Sequence, residues 1–215
     1  MINYTIQLNN SEFKTAVNTI ITQNKIDEII ETGTFHGDGS TKIFAETGKY
    51  VFTIECNYHN WVNAVNNLQN NPNVCVIHGL SMGREDLIKG LLNEKFDIQT
   101  TYDSKFPKTF YMREISQQVV VENALDIFVD NDRFQLIFLD SAGGVGHLEF
   151  KKVLSYKRDY LKNKVLMLDD ISHIKHIRSV EYLESNGFNI NISSDKRFAW
   201  CSFQESHNNN LLNLI

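Results

Sequence analysis

Proline is scarce in this chain, with two residues in 215, and neither an internal repeat nor a Pro-rich or Gly/Ser-rich linker divides it. A single domain over 1–215 is expected, since that length fits one central sheet with helices on both faces. Cysteine is also sparse. Cys56, Cys75 and Cys201 lack close metal-ligand spacing, and their odd number suits free thiols in a reducing compartment, so a cytoplasmic location is expected. Cys75 and Cys201 sit in apolar runs, where packing is the expected role. No apolar run is long enough to span a membrane, and the opening MINYTIQLNN lacks a basic region followed by an apolar one. A basic surplus is absent too: the formal charge is -5 and the pI about 5.8. General nucleic-acid binding, which needs a basic footprint, is therefore not expected.

What is present is an ordinary globular balance, 42% apolar and 22% charged residues, arranged as alternating strands and helices. Ser11 to Asn24 reads as a helix with Phe13, Ala16, Val17 and Ile20 on one face. Ile29 and Ile30 end a first strand, and Thr41 to Glu46 is helical. Lys49 to Glu55 is a second strand. Tyr58 to Asn70 is a helix with Trp61, Val62, Val65 and Leu68 inward, and Val74 to His78 is a third strand. Arg84 to Leu92 starts a helix whose period is then lost. Asn93 to Lys108, longer than a usual connection, is expected to be a lid or acceptor-binding insertion. Phe110 to Phe128 resumes as helix. Phe134 to Asp140 and Lys164 to Asp170 are near-continuous apolar runs, as strands buried on both faces should be. Phe188 to Ser193 and Arg197 to Phe203 form a terminal hairpin around Ser194-Asp195-Lys196.

The chain is organised around a glycine-rich turn, Glu31-Thr-Gly33-Thr-Phe-His-Gly37-Asp-Gly-Ser40. Glycine lets backbone approach a ligand and permits positive φ, and a following helix start offers free N–H groups. Glu55 closes the second strand about twenty residues later, where a carboxylate can accept both hydroxyls of a ribose. The turn resembles the first motif of class I S-adenosylmethionine-dependent methyltransferases, above all the small-molecule O-methyltransferases with an E-T-G-x-x-x-G-x-S loop. That resemblance, over about Ile26 to Phe203, implies a Rossmann-like α/β fold. Its seven-stranded, mostly parallel sheet would carry a terminal antiparallel hairpin and helices on both faces. It also implies S-adenosylmethionine contacts at Glu31, Gly33, Thr34, Gly37, Ser40, Glu55 and Asp140. Ser81 and Met82 would lie beside the adenine, where the acid often found in the family is missing.

Asp140, Asp169 and Asp170 end two strands expected on the same rim. Three gathered carboxylates repel unless one is protonated or a cation is present, and oxygen-only ligands suit Mg²⁺ or another hard divalent ion. The set resembles the metal site of catechol-type and sugar O-methyltransferases, which implies metal contacts at all three. Catechol-type enzymes often place a lysine shortly after the first metal aspartate; Ser141, Ala142, Gly143 and Gly144 stand there instead. His173 and His147 are the nearby candidates for proton transfer, while His36 is expected to shape the glycine turn and His176 to face solvent. A small hydroxylated metabolite, sugar-like rather than a catechol, is the expected acceptor, and a homo-oligomer is left open. Rival readings are an NAD-dependent oxidoreductase, which lacks its G-x-G-x-x-G spacing here, and a non-catalytic Rossmann-like binding domain. The aspartates alone suggest a third, weaker one, a metal-assisted hydrolase.

Overall fold

The computed structural model describes residues 11–93, 108–129, 133–156 and 158–203. Seven strands form one sheet: β1 (Glu28–Thr32), β2 (Tyr50–Glu55), β3 (Val74–His78), β4 (Leu136–Leu139), β5 (Val165–Asp169), β6 (Ile190–Ile192) and β7 (Phe198–Ser202). Their order across the sheet is β3-β2-β1-β4-β5-β7-β6. The first five strands run parallel, while β7 is antiparallel to both β5 and β6. The fold is thus the Rossmann-like arrangement expected, including the terminal hairpin. Its order reverses at β1 and β4, so the ends of β1, β2, β4 and β5 meet on one rim, where open α/β sheets bind ligands.

Strand pleating divides the core in two. Ile29, Leu136, Phe138, Val165 and Met167 point to one face, against Phe13, Val17 and Ile20 of α1 (Ser11–Asn24) and Ile43 and Phe44 of α2 (Ser40–Glu46). Phe13, Phe44, Phe138 and Phe198 are packed there with ring centroids 5.1–5.8 Å apart. Ile30, Ile137, Leu139, Leu166 and Leu168 point to the other face, against α4 (Arg84–Asn93), α7 (Gly144–Leu154), Leu161 of the short α8 (Arg158–Leu161), and α9 (Ile177–Ser185). Neighbouring residues of β4 and β5 are therefore all buried, which is why these strands read as unbroken apolar runs.

The edges depart from expectation. Cys75 is exposed, because β3 is an edge strand whose first three residues are at most partly covered. In α3 (Tyr58–Asn67) and its cap, Ala64 and Leu68 are buried and Trp61 and Val62 partly so, whereas Val65, expected inward, is 41% exposed. Phe110 to Phe128 is two helices, α5 (Lys108–Ile115) and α6 (Ala124–Val129). The chain between them runs beside the free edge of β3, where the N–H groups of Val120 and Val121 reach the His78 carbonyl at 3.1 and 3.2 Å. An open sheet edge offers unpaired acceptors that compete with helix formation. The expected lid, Asn93–Lys108, lies outside the described residues except at its two ends, and so does the tail after Phe203.

Candidate active site

Gly33 follows β1 with φ 81°, and a Cβ there would lie 2.5 Å from the Asp140 carbonyl oxygen. Only glycine lets the β1 turn cross the end of β4 this closely. Gly37, at φ 72°, presses against Leu68, whose Cδ1 a Cβ would meet at 2.6 Å. The turn is braced from below. The fully buried Glu31 carboxylate accepts hydrogen bonds from the hydroxyls of Ser40 (2.5 Å), Thr41 (2.6 Å) and Thr53 (2.7 Å). Burial pushes the Glu31 carboxyl up, and the three hydroxyls pull it back. Thr34 and Thr53 share a further hydroxyl contact at 2.5 Å. His36 stacks on the half-exposed Phe35 ring, with centroids 3.9 Å apart, as a loop-shaping residue would.

Glu55 ends β2 directly beside this turn. Its two carboxylate oxygens accept the N–H groups of Phe35 (2.8 Å) and Asn57 (2.7 Å). Burial pushes the carboxyl up to about 7, against the pull of those N–H groups, and Glu114 adds to the rise. Each oxygen keeps a lone pair for a further donor, which is what a vicinal diol needs. Beyond Asn57, whose amide reaches Glu114 at 3.1 Å, opens a cavity of about 460 Å³ lined by Asn57, His59, Phe110, Arg113, Glu114 and Gln117.

Glu149 was not foreseen from the sequence. Fully buried on α7, it accepts the hydroxyls of Thr32 (2.8 Å), Ser141 (2.7 Å) and Ser81, joining the end of β1 to the segments after β4 and β3. Ser81, the candidate beside adenine, thus turns its hydroxyl to Glu149. Met82 packs in the larger core.

At the ends of β4 and β5, Asp140, Asp169 and Asp170 come together, with carboxylate oxygens all within 4.8 Å of one another. This buried acidic cluster is compatible with a divalent-cation site: its donors are all hard oxygens. Two residues absent from the sequence-based list lie in it. The Lys175 ammonium ion-pairs with Asp140 and lies 3.4 Å from Asp170 and 3.8 Å from Asp169. Arg197 grips Asp169 with two nitrogens, at 3.1 and 3.2 Å, and reaches Asp170 at 3.4 Å. Burial works against the Lys175 charge, but Asp140, Asp170 and Asp169 outweigh it and hold the ammonium protonated. Burial pushes the Asp140 carboxyl well up, helped by Asp169 and Asp170 and opposed by Lys175. For Asp170, Lys175, Arg197 and His173 overcome burial and hold the carboxyl below its ordinary value. The missing lysine after Asp140 is thus matched by one from the loop after β5. The absent side chain of Gly146 makes room for the Lys175 stem; a Cβ there would lie 2.8 Å from Lys175 Cγ.

The histidines separate. His173 is half-buried beside Asp170, whose carbonyl accepts its N–H at 3.0 Å. His147 is buried between α7 and α9, its Nδ1 3.1 Å from the Ser179 hydroxyl. His176, expected at the surface, is fully buried, with Nε2 3.1 Å from the Leu139 carbonyl. Burial, then the neighbouring Lys175 charge, pushes its pKa well below the ordinary value and keeps the ring neutral.

Solved structures share the fold. A Staphylococcus aureus protein assigned as a caffeoyl-CoA O-methyltransferase aligns with a TM-score of 0.53 at 16% identity, over 89% of this chain and 82% of its own. The O-methyltransferase from Bacillus cereus, solved in complex with SAH, aligns with a TM-score of 0.50 at 16% identity, over 90% and 81%. The chain has the class I S-adenosylmethionine-dependent methyltransferase fold. A third structure with that fold, precorrin-6y C5,15-methyltransferase from Geobacter metallireducens, aligns with a TM-score of 0.50 at 12% identity, over 92% and 91%. No protein-family model matches the chain, and no curated protein matches it in sequence. Among the described residues, no helix is long and apolar enough to cross a membrane.

Proposed function

We propose that this protein is an S-adenosylmethionine-dependent O-methyltransferase acting on a small hydroxylated metabolite, sugar-like rather than a catechol, with Mg²⁺ assistance. The observation that carries the reading is the convergence on one rim of the Gly33–Gly37 turn, the buried Glu55 carboxylate and Asp140. The backbone of Gly33 lies against the Asp140 carbonyl, and Glu55 is bonded into the same turn through Phe35. A ribose diol suits Glu55, whose oxygens each retain an acceptor site. The open space beside Gly39, where a Cβ would meet nothing within 4 Å, leaves the start of α2 clear for the methionine part. Glu31, Ser40 and Thr34 act by bracing this cradle, and Ser81 and Met82 by closing the adenine side.

Asp140, Asp169 and Asp170 are the residues that would hold the cation. The chemistry such an ion would supply, when bound, is a lowered pKa and a fixed direction for an acceptor hydroxyl. The acceptor oxygen forms its bond to the transferred methyl as the bond from sulfur breaks, and the hydroxyl proton leaves to a base. We assign that base to His173, beside Asp170, rather than to His147, whose ring is engaged with Ser179.

Calorimetry with S-adenosylmethionine, S-adenosylhomocysteine and NAD tests the cofactor assignment. Micromolar binding of the first two, weakened at least tenfold in Glu55→Gln, is the expected result. Preference for NAD would overturn it. Mass spectrometry against a library of hydroxylated acceptors then separates a transferase from a domain that only binds the cofactor.

A further inference from the structure

Lys175 is one of two buried lysines among the described residues. Its side chain is 6% exposed, and its stem packs over Gly146 of α7 beside His176. Its nitrogen is within ion-pairing distance of all three acids, Asp140, Asp169 and Asp170. An ion held by these three carboxylates would need the volume which that nitrogen takes. Arg197 is placed differently: it holds Asp169 with two nitrogens and does not reach across to all three.

We propose that Lys175 is the resident cation of the acidic trio, and that a divalent ion gains the trio only by displacing the Lys175 ammonium. The inference rests on the reading above only in taking the trio as the place for such an ion. An ammonium and a divalent cation repel strongly at this separation in a buried setting. Lysine carries its charge on a flexible four-carbon stem, so it can withdraw, whereas the planar, two-point grip of Arg197 on Asp169 persists. The site then has two arrangements. In one, Lys175 and Arg197 offset two of the three carboxylate charges without metal; in the other, a divalent ion and Arg197 offset all three with Lys175 turned away.

The test uses Mn²⁺, followed by electron paramagnetic resonance of the free ion, on the full chain and on Lys175→Gln and Lys175→Arg. Lys175→Gln should bind Mn²⁺ at least tenfold more tightly than wild type, and Lys175→Arg no more tightly. Asp169→Asn should abolish the gained affinity and so locate the ion. A Lys175→Gln protein that folds only when Mn²⁺ is supplied would support displacement as well. In wild type, reductive methylation read by mass spectrometry should find Lys175 protected in chelator and labelled once Mn²⁺ saturates the trio. The proposal is overturned by equal Mn²⁺ affinity in wild type and Lys175→Gln. It is equally overturned by a Lys175 that stays protected with Mn²⁺ on the trio, or by failure of both proteins, Lys175→Gln folded or not, to take Mn²⁺. S-adenosylmethionine binding is measured on the same samples. Its failure would sink the proposed function while the Mn²⁺ comparison would still decide the role of Lys175.

Discussion

Glu55 is the residue whose chemistry is most exposed to measurement. A carboxyl held near 7 instead of its ordinary 4.5 is half-charged at neutral pH. The folded protein therefore keeps a proton that the unfolded chain releases between those values. The contribution to stability is full below 4.5 and is lost as pH rises through 7, by roughly 2–4 kcal/mol across that window. Denaturant unfolding at pH 5 and pH 8 should reveal this loss, and Glu55→Gln should remove it. Ribose hydroxyls donate to the ionised form, so cofactor affinity should move the other way, rising about tenfold from pH 6 to 8 in wild type. A pH-independent affinity in wild type would separate Glu55 from the cofactor.

At the scale of elements, the rim holds together because buried carboxylates tie the ends of strands to helices. Glu31 joins β1 and β2 to the start of α2. Glu149 of α7 joins the end of β1 to the segments that follow β3 and β4. Replacing Glu149 by Ala leaves the hydroxyls of buried Thr32 and Ser81 and half-buried Ser141 without their acceptor and opens a void, at a cost of about 3 kcal/mol. Glu149→Gln keeps the shape and one acceptor oxygen and should cost less than half as much. Urea denaturation of both variants checks the ordering. Equal losses would mean that hydroxyl pairing by the carboxylate, not volume, is what Glu149 supplies. The connection between α5 and α6 makes the same point, since Val120 and Val121 follow the unpaired edge of β3 rather than continuing a helix.

For the whole molecule, the two apolar layers supply the stability that the polar rim consumes. The layer under α1 and α2 centres on four phenylalanines, with Phe138 in contact with Phe13 and Phe44 across the sheet face. Phe138→Ala should lower the unfolding free energy by about 3–5 kcal/mol, read from a denaturant melt. Because Phe138 points away from the layer that holds Glu149, cofactor affinity measured well below the melting temperature should change little. A loss of affinity as large as that of Glu55→Gln would show instead that the layers are coupled through β4.

By itself, the sequence determined the order of the elements, the glycine turn and the two strands that end in aspartate. The physical reason is locality: a strand covered on both faces is an apolar run, and a turn with positive φ calls for glycine within a few residues. Asp140, Asp169 and Asp170 could be placed on one rim because parallel strands end on the same side. What surrounds them came only from tertiary structure. Lys175 lies 35 residues from Asp140, Arg197 lies 28 from Asp169, and Glu149 lies 117 from Thr32. In the chain each reads as an ordinary charged residue, without periodicity to mark it as buried. Cys75 and Val65 fell outside the core, and His176 within it, for the complementary reason. Burial at a sheet edge or a helix flank is decided by which neighbour arrives from elsewhere in the chain, not by the residue's own type.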